Sequence, residues 1–519
     1  MPRGLLERNV IKKDWRKVQL RVALCYPNVY RVGMTSLAVH LLYQLLNARS
    51  DVACERVFYV PGELPRSLES GQELGKFDVV AFSLQFETDF VHALEMLYHS
   101  GIPLHVKDRQ RPWVIAGGPC VASNPFPLLP FVNVFQLGEA EPVLDQLLDA
   151  LICAKDISDL NSRLDAHFLL SGRSTVRQAL VSDLDTTFHP TCQTLPISPS
   201  TNELEPTLGQ SLLVEISRGC DRRCDFCLTS YQCGPRRERS LPRLKEIIED
   251  GLDCTKVNKV ALFASAFVDY SELSALLAAI VDQDHQLSVP SLRADMPDSS
   301  IIRIIHQGGQ RTLTFAPEAG SERLRTTIGK AISDEVFRST LQVALDAGFS
   351  QFKLYFMIGL PTETADDVLA IESLCRSLLE LPPRRHRLHV TVAPFIPKPH
   401  TPYQWIGLPS RATLKKRMKL LHGLRRLARV QVDVPNLRWA YIQGALSRGT
   451  TEFAPVIARV AQTSNATAGT WFRVAKDLGF SLESLATADY PPAVQFPWDR
   501  IDVGVNRNIL LRRFARLDE

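Results

Sequence analysis

The chain has 519 residues, 45% of them hydrophobic and 22% charged. That globular balance excludes a disordered chain or a small stapled scaffold and leaves room for roughly three folded units of about 150 residues. Its 60 Lys and Arg against 56 Asp and Glu give a formal net charge of +4, so the molecule as a whole demands neither a polyanion nor a membrane as partner, and any basic surface is local.

No run of about 18 apolar residues occurs, and the opening MPRGLLERNVIKKDWRK is basic without the apolar stretch of a secretory signal. The expectation is a cytoplasmic protein with no membrane contact. Its 11 cysteines are too sparse for a disulfide scaffold, and three crowd into eight residues, the pattern of metal ligands in a reducing compartment.

From Gln19 to about Lys155 the runs QLRVALCYP, VACERVFYVP, DVVAFSLQ, WVIAGGP and NVFQLGE alternate with amphipathic stretches such as 33–49 and 88–100. Strand, helix, strand in series predicts a doubly wound parallel sheet, Rossmann-like, over residues 1–155 with a short basic N-terminal extension. Residues 156–210 lack periodicity and turn Ser/Thr/Pro-rich, which predicts an exposed linker with a few ordered pieces. Alternation restarts with SLLVEIS, VNKVALFAS, LSVPSLRA, RTLTFAP, FSQFKLYFMIG and HRLHVTVAPF, six βα units that predict a partial (β/α)6 barrel over 211–405. The strands are expected to stop there, leaving 406–519 as a mainly helical extension.

In ISRGCDRRCDFCLTS, Cys220, Cys224 and Cys227 stand in a CxxxCxxC spacing directly after the first strand of this second series. A loop this tight can wrap three soft thiolates around one metal centre, and such ligands select iron–sulfur clusters, zinc or copper(I). Structural zinc takes four protein ligands, usually as two separated pairs, and no second CxxC completes such a site. A four-iron cube on three cysteines leaves one iron open to a small chelating ligand. Cys233 would close that position and is set aside as a bystander. Arg218, Arg222 and Arg223 crowd the loop, where their charge would offset the thiolates.

With Phe226 just before the last cysteine, at the end of the first barrel strand, the segment resembles the radical S-adenosylmethionine (SAM) superfamily. The resemblance implies a [4Fe-4S] cluster on Cys220, Cys224 and Cys227 whose open iron binds the amino and carboxylate groups of SAM. Reduction by a low-potential donor such as flavodoxin or ferredoxin then cleaves the sulfonium to a 5′-deoxyadenosyl radical. It also implies cofactor contacts at the strand exits, where a barrel keeps its ligands. These are Phe226 beside the cluster, Ser265 and Asp269 after the second strand (where relatives carry glycines), Arg293 with Asp295 after the third, Glu318 and Arg323 in APEAGSERLR after the fourth, and Gly359 after the fifth. A helix-start acid and a surface cation are the alternative account of Glu318 and Arg323. The sixth exit, APFIPKPHTPYQW, is a proline-rich loop suited to covering the mouth and excluding water.

A doubly wound domain ahead of such a barrel is similar to the cobalamin-binding branch of the superfamily. VIAGGP followed by NVFQLGEAEPVLDQLL gives strand, Gly117–Gly118 turn, strand, Gly138–Glu139 and helix, and glycines let N–H groups approach a nucleotide tail at the sheet's carboxyl edge. The branch's DxHxxG motif is absent, Asp165 and His167 in the linker being a coincidence. The resemblance therefore implies cobalamin without a histidine ligand, with the loop YPNVYRVGMTS near the cobalt face. A Rossmann-like domain that binds no corrin, or binds part of the substrate, would read the same way.

Residues 411–430 form a basic amphipathic helix candidate with Leu414, Met418, Leu421 and Leu424 on one face. It either packs its leucines and solvates its charges or receives an acidic substrate such as RNA. WAYIQGALSRGT and FPWDRIDVGV are expected to close the barrel's open side. Across residues 15–510 these strings resemble a largely uncharacterised group of cobalamin-domain radical SAM proteins. The implied reaction is methyl transfer to an unactivated carbon of a small molecule, protein or RNA. Cobalamin-independent radical chemistry, such as methylthiolation or rearrangement, stays open, as does a non-catalytic iron–sulfur sensor or RNA-binding protein.

Overall fold

The computed structural model describes residues 5–173, 175–197, 203–296, 298–463 and 465–517. In the first domain β1 (Leu20–Tyr26), β2 (Val52–Phe58), β3 (Val79–Ser83), β4 (Trp113–Gly117) and β5 (Val134–Gln136) lie parallel in the order β2-β1-β3-β4-β5, and the two-residue β6 (Phe168–Leu169) runs antiparallel to β5. Burial along β1 to β3 is nearly continuous, as strands covered on both faces require. α1 (Leu37–Ala48) covers one face, α2 (Asp89–His99) covers the other, and α3 (Leu144–Cys153) lies beside α1. The order reverses at β1, so the crevice beyond the carboxyl ends of β1 and β3 is a topological switch point, a favoured place for ligands.

In the second domain β7 (Leu212–Glu215), β8 (Lys259–Phe263), β9 (Gln286–Ser288), β10 (Thr312–Glu318), β11 (Gln351–Ile358) and β12 (Arg387–Pro394) are parallel and in chain order. A bridge between Leu292 and Phe315 joins the β7–β9 piece to the rest. Outside them pack α4 (Leu241–Thr255), α5 (Leu273–Val281), α6 (Ser300–Gln307), α7 (Asp334–Asp346) and α8 (Ala365–Leu379). Side chains of Ser240, Ser333 and Thr364 cap α4, α7 and α8 by accepting an N–H of the first turn.

Two expectations need correction here. α9 (Arg411–Leu420) stops ten residues short of 430: the backbone leaves the helix at Leu421 (ψ 5°) and continues as a short 3-10 turn over Leu424–Arg426. The strands also do not end at Trp405: β13 (Val430–Asp433) adds a further parallel strand to β12.

The C-terminal extension continues through α10 (Leu437–Ser447), α11 (Ala454–Ala461), α12 (Ala468–Asp477), α13 (Leu482–Thr487) and α14 (Arg507–Phe514). Tyr441 and Ala486 join the barrel core. Ile442, Val456, Ile457, Trp471 and Trp498, however, share one core with Val80, Phe82, Phe90 and Leu94. The extension therefore covers the α2 face of the first sheet as well as the barrel, where only closure of the barrel was expected.

The segment read as an exposed linker is largely knit into the molecule. Val176–Arg177 pairs with Ile501–Asp502, and Leu195–Pro196 pairs with Glu7–Arg8. The buried Gln193 amide donates to the Leu213 carbonyl (2.7 Å) and accepts the Leu213 N–H (2.9 Å), mimicking a strand beside β7. Cys192 and Cys254 form a disulfide, which the reading of cysteines in a reducing compartment did not foresee. Residues 198–202 of its Ser/Pro-rich stretch lie outside the described residues. No described helix is long and apolar enough to cross a membrane.

Candidate active site

After β7 the chain leaves through Ser217–Arg218, which pairs antiparallel with Arg237–Glu238 and closes the neck of a loop carrying all three clustered cysteines. The loop lies across the carboxyl ends of β10 to β12. Asp225 N–H donates to the Ile328 carbonyl (3.0 Å), and Phe226 packs on Ala319, Leu360, Phe395 and Tyr403. Tyr231 donates to Asp225 (3.1 Å), while Arg513 of α14 reaches the same carboxylate and donates to the Arg223 carbonyl (2.7 Å). Phe226 thus seats the loop on the barrel mouth.

Cys224 is buried, Cys220 and Cys227 are partly exposed, and all three are free thiols. Burial pushes the Cys224 thiol up to about 11, with Lys330 and Arg293 as the cations that oppose it. Among the described residues no three His, Cys, Asp or Glu side chains converge on a position for a single metal ion. A lone zinc would draw its thiolates to within about 4 Å of one another. Three soft donors on one loop, with no carboxylate or imidazole joining them, fit an iron–sulfur cube instead.

Two of the arginines expected to balance the thiolates, Arg218 and Arg222, are held by carboxylates. Arg218 pairs with Glu141 (2.6 Å), Glu215 (2.9 Å) and Glu139 (3.3 Å). Arg222 donates to Asp269 (2.7 Å) and lies 3.7 Å from Asp295, which Arg293 also holds at 2.9 Å. This chain of alternating charge brings Asp269 and Arg293 together at the exits of β8 and β9. Burial works against ionising Asp295, yet Arg293 and then Arg222 hold it below the usual carboxylate range.

Glu318 ends β10 at an irregularity in the β10–β11 register and has φ +70°, a conformation rare for a non-glycine residue. Its carboxylate accepts from Lys330 (3.0 Å), a largely buried lysine that sequence reading missed. Arg323 points away from this group: it donates to Thr362 C=O (3.0 Å) and reaches Asp367, which completes the capping box with Thr364 at the start of α8. The buried neighbour Arg325 instead organises the loop, donating to the carbonyls of Gly320 (3.0 Å) and Ile332 (2.7 Å). Gly359 N–H donates to both oxygens of Glu363 (3.0 Å each), placing the exit of β11 against Arg417 of α9.

Gly117, Gly118, Gly138 and Ser265 meet around a second feature, a cavity of about 560 Å³ between the carboxyl edge of the first sheet and the cysteine loop. Gly118 (φ +113°) and Gly138 (φ +86°) pass so close to the backbones of Leu84 and Ala179 that a Cβ would collide. The cavity runs from Gly219 and Cys233 at the loop into an apolar slot walled by Leu37 and Leu41 of α1, Leu144 and Leu147 of α3, and Val22 and Ile115 of the sheet. His189, from the knitted-in segment, also lines it. Its Nε2 accepts from Glu215 N–H (3.2 Å), and burial, then Arg239 and Arg218, lowers it to about 3.

Residues 38–168 match the family described as "Radical SAM proteins, N-terminal", and residues 214–375 match the "Radical SAM superfamily". An uncharacterized protein of Methanocaldococcus jannaschii is 33% identical over 433 residues, 83% of this chain and 89% of that one. An uncharacterized methyltransferase of Pyrococcus horikoshii is 24% identical over 274 residues, 51% of this chain and 58% of its own. Among solved structures, the radical SAM methyltransferase TsrM of Kitasatospora setae, with cobalamin and a [4Fe-4S] cluster bound, is 14% identical with a TM-score of 0.49 over 72% of each chain.

Proposed function

The chain belongs to the radical SAM superfamily, and on that premise we propose that it is a cobalamin-dependent methyltransferase acting on an unactivated carbon, with electrons from a low-potential donor such as flavodoxin or ferredoxin. The family's [4Fe-4S] cluster and SAM, when bound, supply one-electron cleavage of the sulfonium. Cys220, Cys224 and Cys227 are the cluster ligands. Lys330 and Arg293 keep positive charge beside Cys224, and Glu318 and the Arg222–Asp269 pair offer polar contacts for SAM at the mouth. Phe226, Leu360 and Phe395 form the apolar floor that keeps water from a radical.

The observation that carries the corrin is the cavity of about 560 Å³. A broad macrocycle with a long nucleotide tail needs a lip at the sheet edge and a slot beneath it, and the cavity offers both. His189 is the imidazole among its lining residues, and its Nε2 is occupied by Glu215 N–H, so the reading is of a corrin held without a histidine ligand.

The test fills the slot. After anaerobic reconstitution with iron, sulfide and hydroxocobalamin, the unmodified protein should carry corrin through gel filtration, visible in its absorbance. Ala38→Trp and Leu41→Trp, both facing the slot from α1, should lose the corrin yet still release 5′-deoxyadenosine. Unmodified protein that cleaves SAM but retains no corrin would replace this reading with cobalamin-independent chemistry such as methylthiolation.

A further inference from the structure

On the outer side of the barrel, α9 carries a row of cations. Arg411, Lys415 and Lys419 recur every four residues, and Arg425, with His422 between, extends the line beyond the helix. Like charges four apart on a helix repel and weaken it, and α9 contains no acidic residue to relieve them. Among the described residues, only Arg411 of these five has an ion-pair partner, Glu483 at 3.7 Å. The inner face is packed by contrast: Leu414 is buried in the barrel core and Arg417 pairs with Glu363 at 2.9 Å. Packing therefore explains one face of the helix and leaves the repulsive row unexplained.

That row forms one wall of a groove of about 460 Å³, whose other wall is the extended chain from Val434 to Leu437. We infer that the groove binds a single-stranded nucleic acid. Cations at successive helical turns, about 6 Å apart, suit a polymer carrying one negative charge per unit. The Val434–Pro435 wall offers an apolar face against which bases pack. A groove of about 460 Å³ beside a single row of cations is on the scale of a few nucleotides of one strand. Leu414, on the inner face of the same helix, packs at Gly359, so the strand would lie along an element bordering the barrel mouth. The inference does not depend on the corrin.

The test uses full-length holoprotein and fluorescence anisotropy with labelled oligouridylate and oligothymidylate of about 12 nucleotides, the two arms showing whether RNA or DNA is preferred. Binding should be measurable at about 50 mM salt and should weaken log-linearly as salt rises. The double substitution Lys415→Glu with Lys419→Glu should weaken it by about tenfold or more. The charge-matched control, Lys107→Glu with Lys245→Glu at exposed sites outside the groove, should leave affinity within about twofold. Retained 5′-deoxyadenosine formation and an unchanged melting temperature verify that each variant is folded. Equal loss in the control, no binding of either oligonucleotide, or binding only to phosphatidylcholine vesicles carrying phosphatidylserine would each overturn the inference.

Discussion

The Lys330 ammonium lies 3.0 Å from Glu318 and is the leading cation acting on Cys224, in a largely buried setting where charge is poorly screened. Removing that charge should make an electron harder to add to a cluster on the neighbouring thiolates. Lys330→Gln is expected to move the cluster midpoint about 60 mV more negative, a tenfold change in a one-electron equilibrium, with iron content unchanged. Lys330→Arg should restore most of the shift, and a redox titration followed by electron paramagnetic resonance measures both. That the three cysteines share one loop was legible in sequence because eight consecutive residues carry them. Lys330 and Arg513 were not, because they reach the loop from about 100 and 290 residues away. Arg323 and Arg325 show a finer limit. Both sit on the short helix Glu322–Thr327, and spacing alone does not say which one turns toward α8 and which is buried among carbonyls.

Loops around the site are pinned by buried, uncharged imidazoles. His400, in the proline-rich exit of β12, lies with Nε2 3.1 Å from the Ser123 carbonyl of the first domain, and burial lowers it to about 4. His40, against Met34, is likewise lowered to about 4 by burial. A histidine with a depressed folded value binds its proton more readily when released, so its contribution is complete above about 6.5 and is lost as pH falls toward 4. Each such group can carry up to about 3 kcal/mol across that window. Hydrogen exchange in the 397–405 loop and at 119–123 should accelerate between pH 6.5 and 4.5. His400→Asn, which tolerates the left-handed backbone at this position (φ +60°) and does not titrate, should flatten the response. At this scale, alternation of apolar runs located most strands and helices. It failed at 411–433, where local periodicity reads as one helix a segment that ends at Leu420 and whose Val430–Asp433 is recruited as a strand beside β12.

At the scale of the whole molecule, the first domain and the C-terminal extension form one core, with Phe90 and Leu94 of α2 packed among Val456, Ile457 and Trp471. The order of domains was legible because each announces its own periodicity. The return of the tail to the first sheet was not, since its apolar positions would fit any apolar face. A chain ending at Ser447 should expose that face. It is expected to bind the dye 8-anilinonaphthalene-1-sulfonate strongly and to fall mostly into the insoluble fraction, whereas soluble, monodisperse truncated protein would contradict the shared core. A nascent chain meets the same condition at every round of synthesis. Roughly 350 residues separate α2 from α11, so at about 5–20 residues per second a ribosome takes tens of seconds to deliver the cover. Throughout that interval the half-finished sheet presents a greasy flank to the cell, which makes this protein a natural client for a chaperone that shields early domains until translation ends.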